Sequence, residues 1–301
     1  MRQLTLGLFL LILSACGSGS NPVRFASDST QIDTTTDVGA ARQDASAAYL
    51  LSAFFGLDNG IPLPANVRLC RGAGRSDGMP LIFAHEIAVE TLQAGDIEVR
   101  TTSGVVGQVT CLTMAPALDL GELRTALLLG EFGSADDDPP ATVTVVGNVL
   151  SRDGRFNFKG ATIAVTPLAP GPTLVYAETL PEAQWKLGVS AGAFGSGTGC
   201  PLGTTQAVRA VWAGGVTIPP DGDEAGDAER DLYRVELVDA AGTTSTVVPF
   251  ALADRDDGDN NHLLCLDVPG TPRQVFFPAG YLIDPNGDLN PDTTIAVTTM
   301  P

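Results

Sequence analysis

Carboxylates and amides crowd two short stretches of this chain. Asp254-Arg255-Asp256-Asp257-Gly258-Asp259-Asn260-Asn261-His262 offers a polar or charged side chain at almost every position, and Asp284-Pro285-Asn286-Gly287-Asp288-Leu289-Asn290-Pro291-Asp292 repeats the theme. Calcium takes about six to eight oxygen ligands, which Asp and Asn on a tight loop can supply. Neither stretch is an EF-hand, because the obligatory glycine is misplaced and no glutamate closes the loop. Asp254, Asp256, Asp257, Asp259 and Asn261 are the candidate calcium ligands. The competing reading is a solvated turn, since Asp, Asn and Gly favour turns on their own account. Asp136-Asp137-Asp138 and the acidic stretch from Asp221 to Asp231 fit that plainer reading.

Catalytic patterns are thinner. Gly188-Val189-Ser190-Ala191-Gly192 fits G-x-S-x-G, with aspartates and then His262 downstream, the chain order of an α/β-hydrolase. That chemistry needs a buried strand before the serine and a helix after it. The segment from Glu182 to Leu187 is no buried strand, and Gly192, Gly195, Gly197 and Gly199 oppose a helix, so a glycine-rich loop is expected. His85-Glu86 opens a zinc-protease motif that Val89 fails to complete. His85 and His262 are the only histidines in the chain, which excludes any site built on three imidazoles.

The chain must position whatever it carries with 301 residues, 44% of them hydrophobic, and a net charge of -18 from 17 Lys plus Arg against 35 Asp plus Glu. That apolar fraction can build packed interiors, which excludes an acidic disordered tail. Gripping nucleic acid needs clustered basic residues to neutralise phosphates. Lys159 and Lys186 are the only lysines, so nucleic acid is not an expected partner.

The first residues set the compartment. Arg2 precedes an apolar stretch from Leu4 to Leu13, too short for a permanent span and suited to a signal peptide. Leu13-Ser14-Ala15-Cys16 follows, and it resembles the lipobox of bacterial lipoproteins. The resemblance implies cleavage before Cys16, a diacylglyceryl thioether on its sulfur and an acylated amino terminus. Two or more acyl chains anchor stably where one binds reversibly. Gly17 stands where an inner-membrane retention signal would have Asp, so the outer membrane is the implied destination in a Gram-negative cell. Removing residues 1–15 takes away Arg2 and no acid, moving the net charge from -18 to about -19.

With Cys16 assigned to lipid, Cys70, Cys111, Cys200 and Cys265 remain. An even number in an exported chain points to disulfides. Cys70 with Cys111 and Cys200 with Cys265 is the favoured set of the three possible, placing one bridge in each half. None of the spacings is C-x-x-C, so zinc-ribbon and thioredoxin-type readings have no support.

Four regions follow: a signal peptide at 1–15, a lipidated flexible tether at 16–44, a β-sandwich-like domain with an N-terminal helix at 45–180, and a second β-rich domain at 181–301. Asp44 and Gly56 bracket an expected helix from Ala45 to Phe55. Beyond residue 60 the pattern turns to period two with frequent turns: Ile97–Thr101, Thr142–Val146, Ala207–Trp212 and Tyr233–Val238 read as strands. Tyr233–Val238 pairs with Thr244–Phe250 across Asp239-Ala240-Ala241-Gly242. Many short strands with 34 Gly and 21 Pro give a mainly β fold of two immunoglobulin-like or β-sandwich-type domains. Gly78 to Ile87, then Glu90-Thr91-Leu92, then Asp96 to Val99 resemble the opening strands of bacterial immunoglobulin-like modules, although Ala84 stands where Ser is usual. That resemblance implies a spacer, adhesion or binding module and carries over no catalytic residue.

The expected protein is a lipid-anchored cell-envelope lipoprotein, non-enzymatic, with a binding, adhesion or structural role and calcium as its one candidate cofactor. Its partners would be the membrane, through the lipid, and an envelope protein or glycan. The alternative is a cell-surface hydrolase acting on an envelope or extracellular polymer.

Overall fold

Short strands dominate the described residues, several of them buried along almost their whole length. A computed structural model describes residues 23–25, 44–119, 121–185, 198–220, 222–255 and 258–299. The fold is mainly β, in four antiparallel sheets among those residues.

The first lobe contains β1 (Val23–Phe25), β2 (Leu50–Ala53), β3 (Asp77–Phe83), β4 (Ile97–Thr101), β5 (Gln108–Thr113), β6 (Thr125–Glu131), β7 (Pro140–Val145) and β8 (Thr162–Ala164). One sheet runs β1-β5-β6-β3-β2 and the other β4-β7-β8. Side chains on a strand alternate between faces. Leu81 and Phe83 of β3, Ala126 and Leu128 of β6, and Val143 and Val145 of β7 thereby meet in one core between the sheets. On the outer face of the larger sheet, Leu127 and Leu129 point the other way, toward Cys111, Cys70 and Ile61.

The second lobe repeats the plan with β9 (Leu174–Thr179), β10 (Gln206–Trp212), β11 (Arg234–Val238), β12 (Thr244–Val247), β13 (Ala251–Ala253), β14 (Asn261–Leu266), β15 (Thr271–Phe277) and β16 (Thr293–Ala296). Its sheets run β13-β14-β10-β9 and β12-β11-β15-β16. Trp212, Tyr233, Leu264 and Phe277 fill the space between them. The β11–β12 hairpin turns at the expected Asp239–Gly242, where Gly242 adopts φ +82°.

Both disulfides join the expected partners, Cys70 with Cys111 and Cys200 with Cys265. They close separations of 41 and 65 residues. Each stabilises the fold by about 4 kcal/mol in the chain-entropy picture.

Three expectations change. The helix from Ala45 to Phe55 is a turn followed by β2. Asp44 does cap, but it caps a turn: its Oδ1 accepts from Ser46 N at 3.0 Å and its carbonyl from Ala47 N at 2.9 Å. Pairing with β3, which buries Leu50 and Ala53, overrides the helical propensity of the Ala- and Leu-rich stretch. Within the stretch expected to be a free tether, Val23–Phe25 pairs with β5. Lastly, β9 hydrogen-bonds to β10, so the change of lobe falls between Ala164 and Leu174, ahead of Pro181. The G-x-S-x-G run and Cys16 lie outside the described residues.

Candidate functional site

Charged residues interrupt several otherwise apolar strands, and the fold gathers them where the lobes meet. Arg124 immediately precedes β6, Glu178 lies on β9 and Arg209 on β10. Glu122 comes from the β5–β6 connection and Asp254 follows β13. Arg209 and Glu122 have no exposed surface at all. Arg124 Nη2 donates to Glu178 Oε1 at 2.9 Å and its Nη1 to the Ala84 carbonyl at 3.0 Å, while its guanidinium stacks 4.4 Å from the Tyr176 ring centre. Arg209 places Nη1 3.6 Å from Glu178 Oε1 and Nη2 3.6 Å from Glu122 Oε1. Glu178 of the second lobe is thus held by a cation from each lobe.

The close approach has a backbone cause. Gly121 adopts φ +96°, and a Cβ there would collide with Arg209 Nη1 and lie 2.9 Å from Gln184 Oε1. Only glycine lets the guanidinium through. Gly121 N also donates to Glu86 Oε1 at 3.0 Å, which in turn pairs with Arg152 at 2.9 Å.

Acids outnumber bases in this junction. Carboxylate oxygens of Asp119, Glu122 and Asp254 lie within 4.8 Å of one another. Burial, and then the neighbouring Asp254 charge, push the Glu122 carboxyl well above the usual carboxylate range, with Arg209 opposing. Glu122 Oε2 accepts from Asp119 N at 2.9 Å.

The acidic stretch chosen from sequence divides its labour. Asp254, at φ +66°, faces the junction. Asp259 accepts from Asn261 twice, from N at 2.7 Å and from Nδ2 at 2.6 Å. Asp256 and Asp257 lie outside the described residues. Asp254, Asp259 and Asn261 do share the lining of a void of about 10 Å³, with Glu224, Arg255 and His262. That is close to the room one water or ion needs. Asn261 is 1% exposed, and its Oδ1 has no hydrogen-bond partner. In the companion stretch, Asp284 Oδ1 caps its own turn by accepting from Asn286 N and Asp288 N. Asp138 does likewise, accepting from Thr102 and Ser103 on the surface, which holds its carboxyl below the usual range.

The two histidines do not converge. His85 stacks on Phe156 in the first lobe at 5.1 Å, and burial, then Arg124, lower its pKa. His262 lies in the second lobe, where Trp212 Nε1 donates to Tyr233 Oη at 2.9 Å and Tyr233 Oη sits 2.6 Å from His262 Nδ1. Indole can only donate, so the phenol oxygen accepts from Trp212. Burial lowers the His262 pKa to about 4 and raises that of Tyr233, which keeps both neutral.

No family model and no curated protein sequence matches this chain.

Alongside the charged junction lies an apolar pocket of about 180 Å³, walled by Phe54, Pro80 and Leu127 of the first lobe and by Gly214 and Gly215 of the second. A Cβ on Gly214 would lie 3.2 Å from Phe54 Cδ1, so the second lobe presses bare backbone against that ring. Sequence reasoning missed both the junction and the pocket. The available signal was a charge inside a run of apolar strand residues, as with Arg209 between Val208 and Ala210. No helix among the described residues is long and apolar enough to cross a membrane.

Proposed function

We propose that this chain is a lipid-anchored lipoprotein of the cell envelope, with a binding, adhesion or structural role and no catalytic one. The observation that carries the structural side of this reading is the buried ion-pair junction, Arg124–Glu178–Arg209–Glu122, which fixes one β-sandwich against the other. Breaking a buried pair costs about 3–5 kcal/mol, so lobes joined this way keep one relative orientation under load. A spacer or presenting module needs that stiffness. The lipobox-like tetrad supports the anchor, and the two disulfides fit an exported protein. The resemblance of the stretch at 78–115 to the opening strands of bacterial immunoglobulin-like modules points the same way.

Calcium belongs to this proposal as a stabiliser of the 254–262 stretch. What supports it is the unpartnered, buried Asn261 Oδ1 beside Asp254, Asp259 and Glu224, three acids against the single cation Arg255. Melting in millimolar calcium against chelator tests it: an unchanged midpoint removes calcium from the proposal.

The hydrolase alternative has one observation in its favour, a Glu122 carboxyl held well above the usual carboxylate range beside Asp254, and acid–base chemistry uses carboxyls set apart in this way. Complete burial of Glu122 leaves a substrate no path to it. The deciding experiment is mass spectrometry of membrane-extracted protein from cells fed labelled palmitate. An N-terminal lipidated Cys16, lost in Cys16→Ser together with membrane retention, is expected. An unmodified thiol there ends the envelope reading.

A further inference from the structure

The fold seals most of its sheet edges with its own chain. Thr166 N donates to the Ala53 carbonyl at 2.8 Å beside β2, and Gly107 N to the Val99 carbonyl at 2.9 Å beside β4. Thr298 N donates to the Ala177 carbonyl at 2.8 Å beside β9, and just past β13 Asp254 N donates to the Thr198 carbonyl at 2.7 Å. The outer strand β12 is left bare: among the described residues, no segment other than β11 bonds to the backbone of Thr244–Val247. Thr244, Ser245 and Thr246 are exposed. A bare edge is a template for another strand, and proteins blunt such edges with charge, proline or a bulge. This one has none of them. No charged residue lies between Asp239 and Asp254, Pro249 comes after the strand has ended, and the register with β11 is unbroken.

The hairpin fixes which groups point outward. Asp239 N donates to the Thr243 carbonyl at 3.0 Å, and bonded pairs recur at every second residue of an antiparallel ladder, here Leu237–Ser245 and Val235–Val247. Thr244 and Thr246 therefore turn their N–H and C=O groups away from β11. We propose that β12 pairs antiparallel with β12 of a second copy of this chain, about a two-fold axis at Ser245. In that register Thr244 of each copy faces Thr246 of the other, exchanging backbone bonds and setting threonine beside threonine, a favourable cross-strand pair. The run Thr244-Ser245-Thr246 reads the same in both directions, so one patch serves both copies. Charge favours this occupant and this direction. The contact falls where a chain of net charge -18 carries no charge. Arg234 and Asp239, both exposed, flank β11 at opposite ends, so antiparallel pairing turns the acidic end of one hairpin toward the basic end of the other. Parallel pairing would set acid beside acid. Glu236, level with Thr246, stays about three strand spacings from its copy, roughly 14 Å and beyond the Debye length of about 8 Å. This inference goes beyond the envelope reading and does not depend on the anchor.

Cysteine cross-linking of the full chain tests it, purified and in intact cells, with copper–phenanthroline as oxidant. Opposed residues of a non-bonded pair have Cα atoms about 4.5 Å apart, within disulfide range. Ser245→Cys is expected to give a covalent dimer of the chain, identified by its mass without reductant. Val248→Cys, also exposed but offset from its copy by roughly 20 Å along the strand, should give far less. Thr246→Pro removes an outward N–H and no bond to β11. Added to Ser245→Cys, it should lower the dimer yield about tenfold and leave the thermal midpoint in place. Should that variant fail to fold, Thr246→Lys sets like charges across the axis and takes its place. No dimer from Ser245→Cys, equal yields at 245 and 248, a yield unmoved by the Thr246 substitution, or a cross-link in cells to a different protein each overturns the proposal.

Discussion

Two stretches of one seam join the lobes by opposite means. At one end Arg124, Arg209, Glu122 and Glu178 meet in a region closed to solvent. At the other, Phe54 and Leu127 face Gly214 and Gly215 across unfilled space. Ion pairs demand particular partners at particular distances, whereas apolar surfaces tolerate sliding and gaps. The charged end therefore sets how the lobes align, and that alignment allows the apolar end to remain loosely packed. A void of about 180 Å³ lies at that apolar end.

Removing the central cation is the severest way to break this comparison. Arg209→Met strands Glu178 and Glu122 without their shared guanidinium, and urea denaturation is expected to show a loss of about 3–5 kcal/mol. A loss under 1 kcal/mol from Arg209→Met would mean the charges do not hold the seam.

Acid separates the seam from the lobe behind it. His262 titrates near 4 in the folded protein and near 6.5 when unfolded. The unfolded chain takes up that proton first, so stability falls as pH drops from about 6.5 to about 4, by about 3 kcal/mol. Urea midpoints measured across that range should show the fall, and His262→Asn should flatten it.

The apolar end gives a smaller effect of opposite sign. Thr125→Val removes a buried hydroxyl that lacks a partner, and the thermal midpoint is expected to rise by the equivalent of about 1 kcal/mol. Glu122→Gln removes a titration. The folded carboxyl holds its proton to higher pH than the unfolded one, so its contribution grows as pH falls toward the ordinary carboxylate range. The amide does not ionise, so urea midpoints of the variant should stay level across that range and exceed the parent's at its upper end by the gain that the parent shows on acidification.

Legibility in the sequence followed the range of the interactions. Period-two strands such as Ile97–Thr101 and the hairpin over Asp239–Gly242 declared themselves, because alternation and turn chemistry are local. Both disulfide partners were legible from balance between the halves. The segment after Asp44 misled, because Ala- and Leu-rich sequence carries helical propensity and nothing nearby reveals that β3 will pair with it. Glu178 and Arg209 sit about 30 residues apart and Arg124 more than 50 residues earlier, so their meeting depends on how whole sheets stack. The 254–262 stretch was found for its oxygens, yet the property that gives Asp254 its place, proximity to Glu122, arises only once both lobes are assembled.

Strand β1 has a consequence for distance. Val23–Phe25 is stitched to the edge of the larger sheet of the first lobe, and six residues separate it from Cys16 in sequence. Six residues stretched fully reach about 20 Å. Were Cys16 lipidated as proposed, the β1 edge would be held within about that distance of the bilayer.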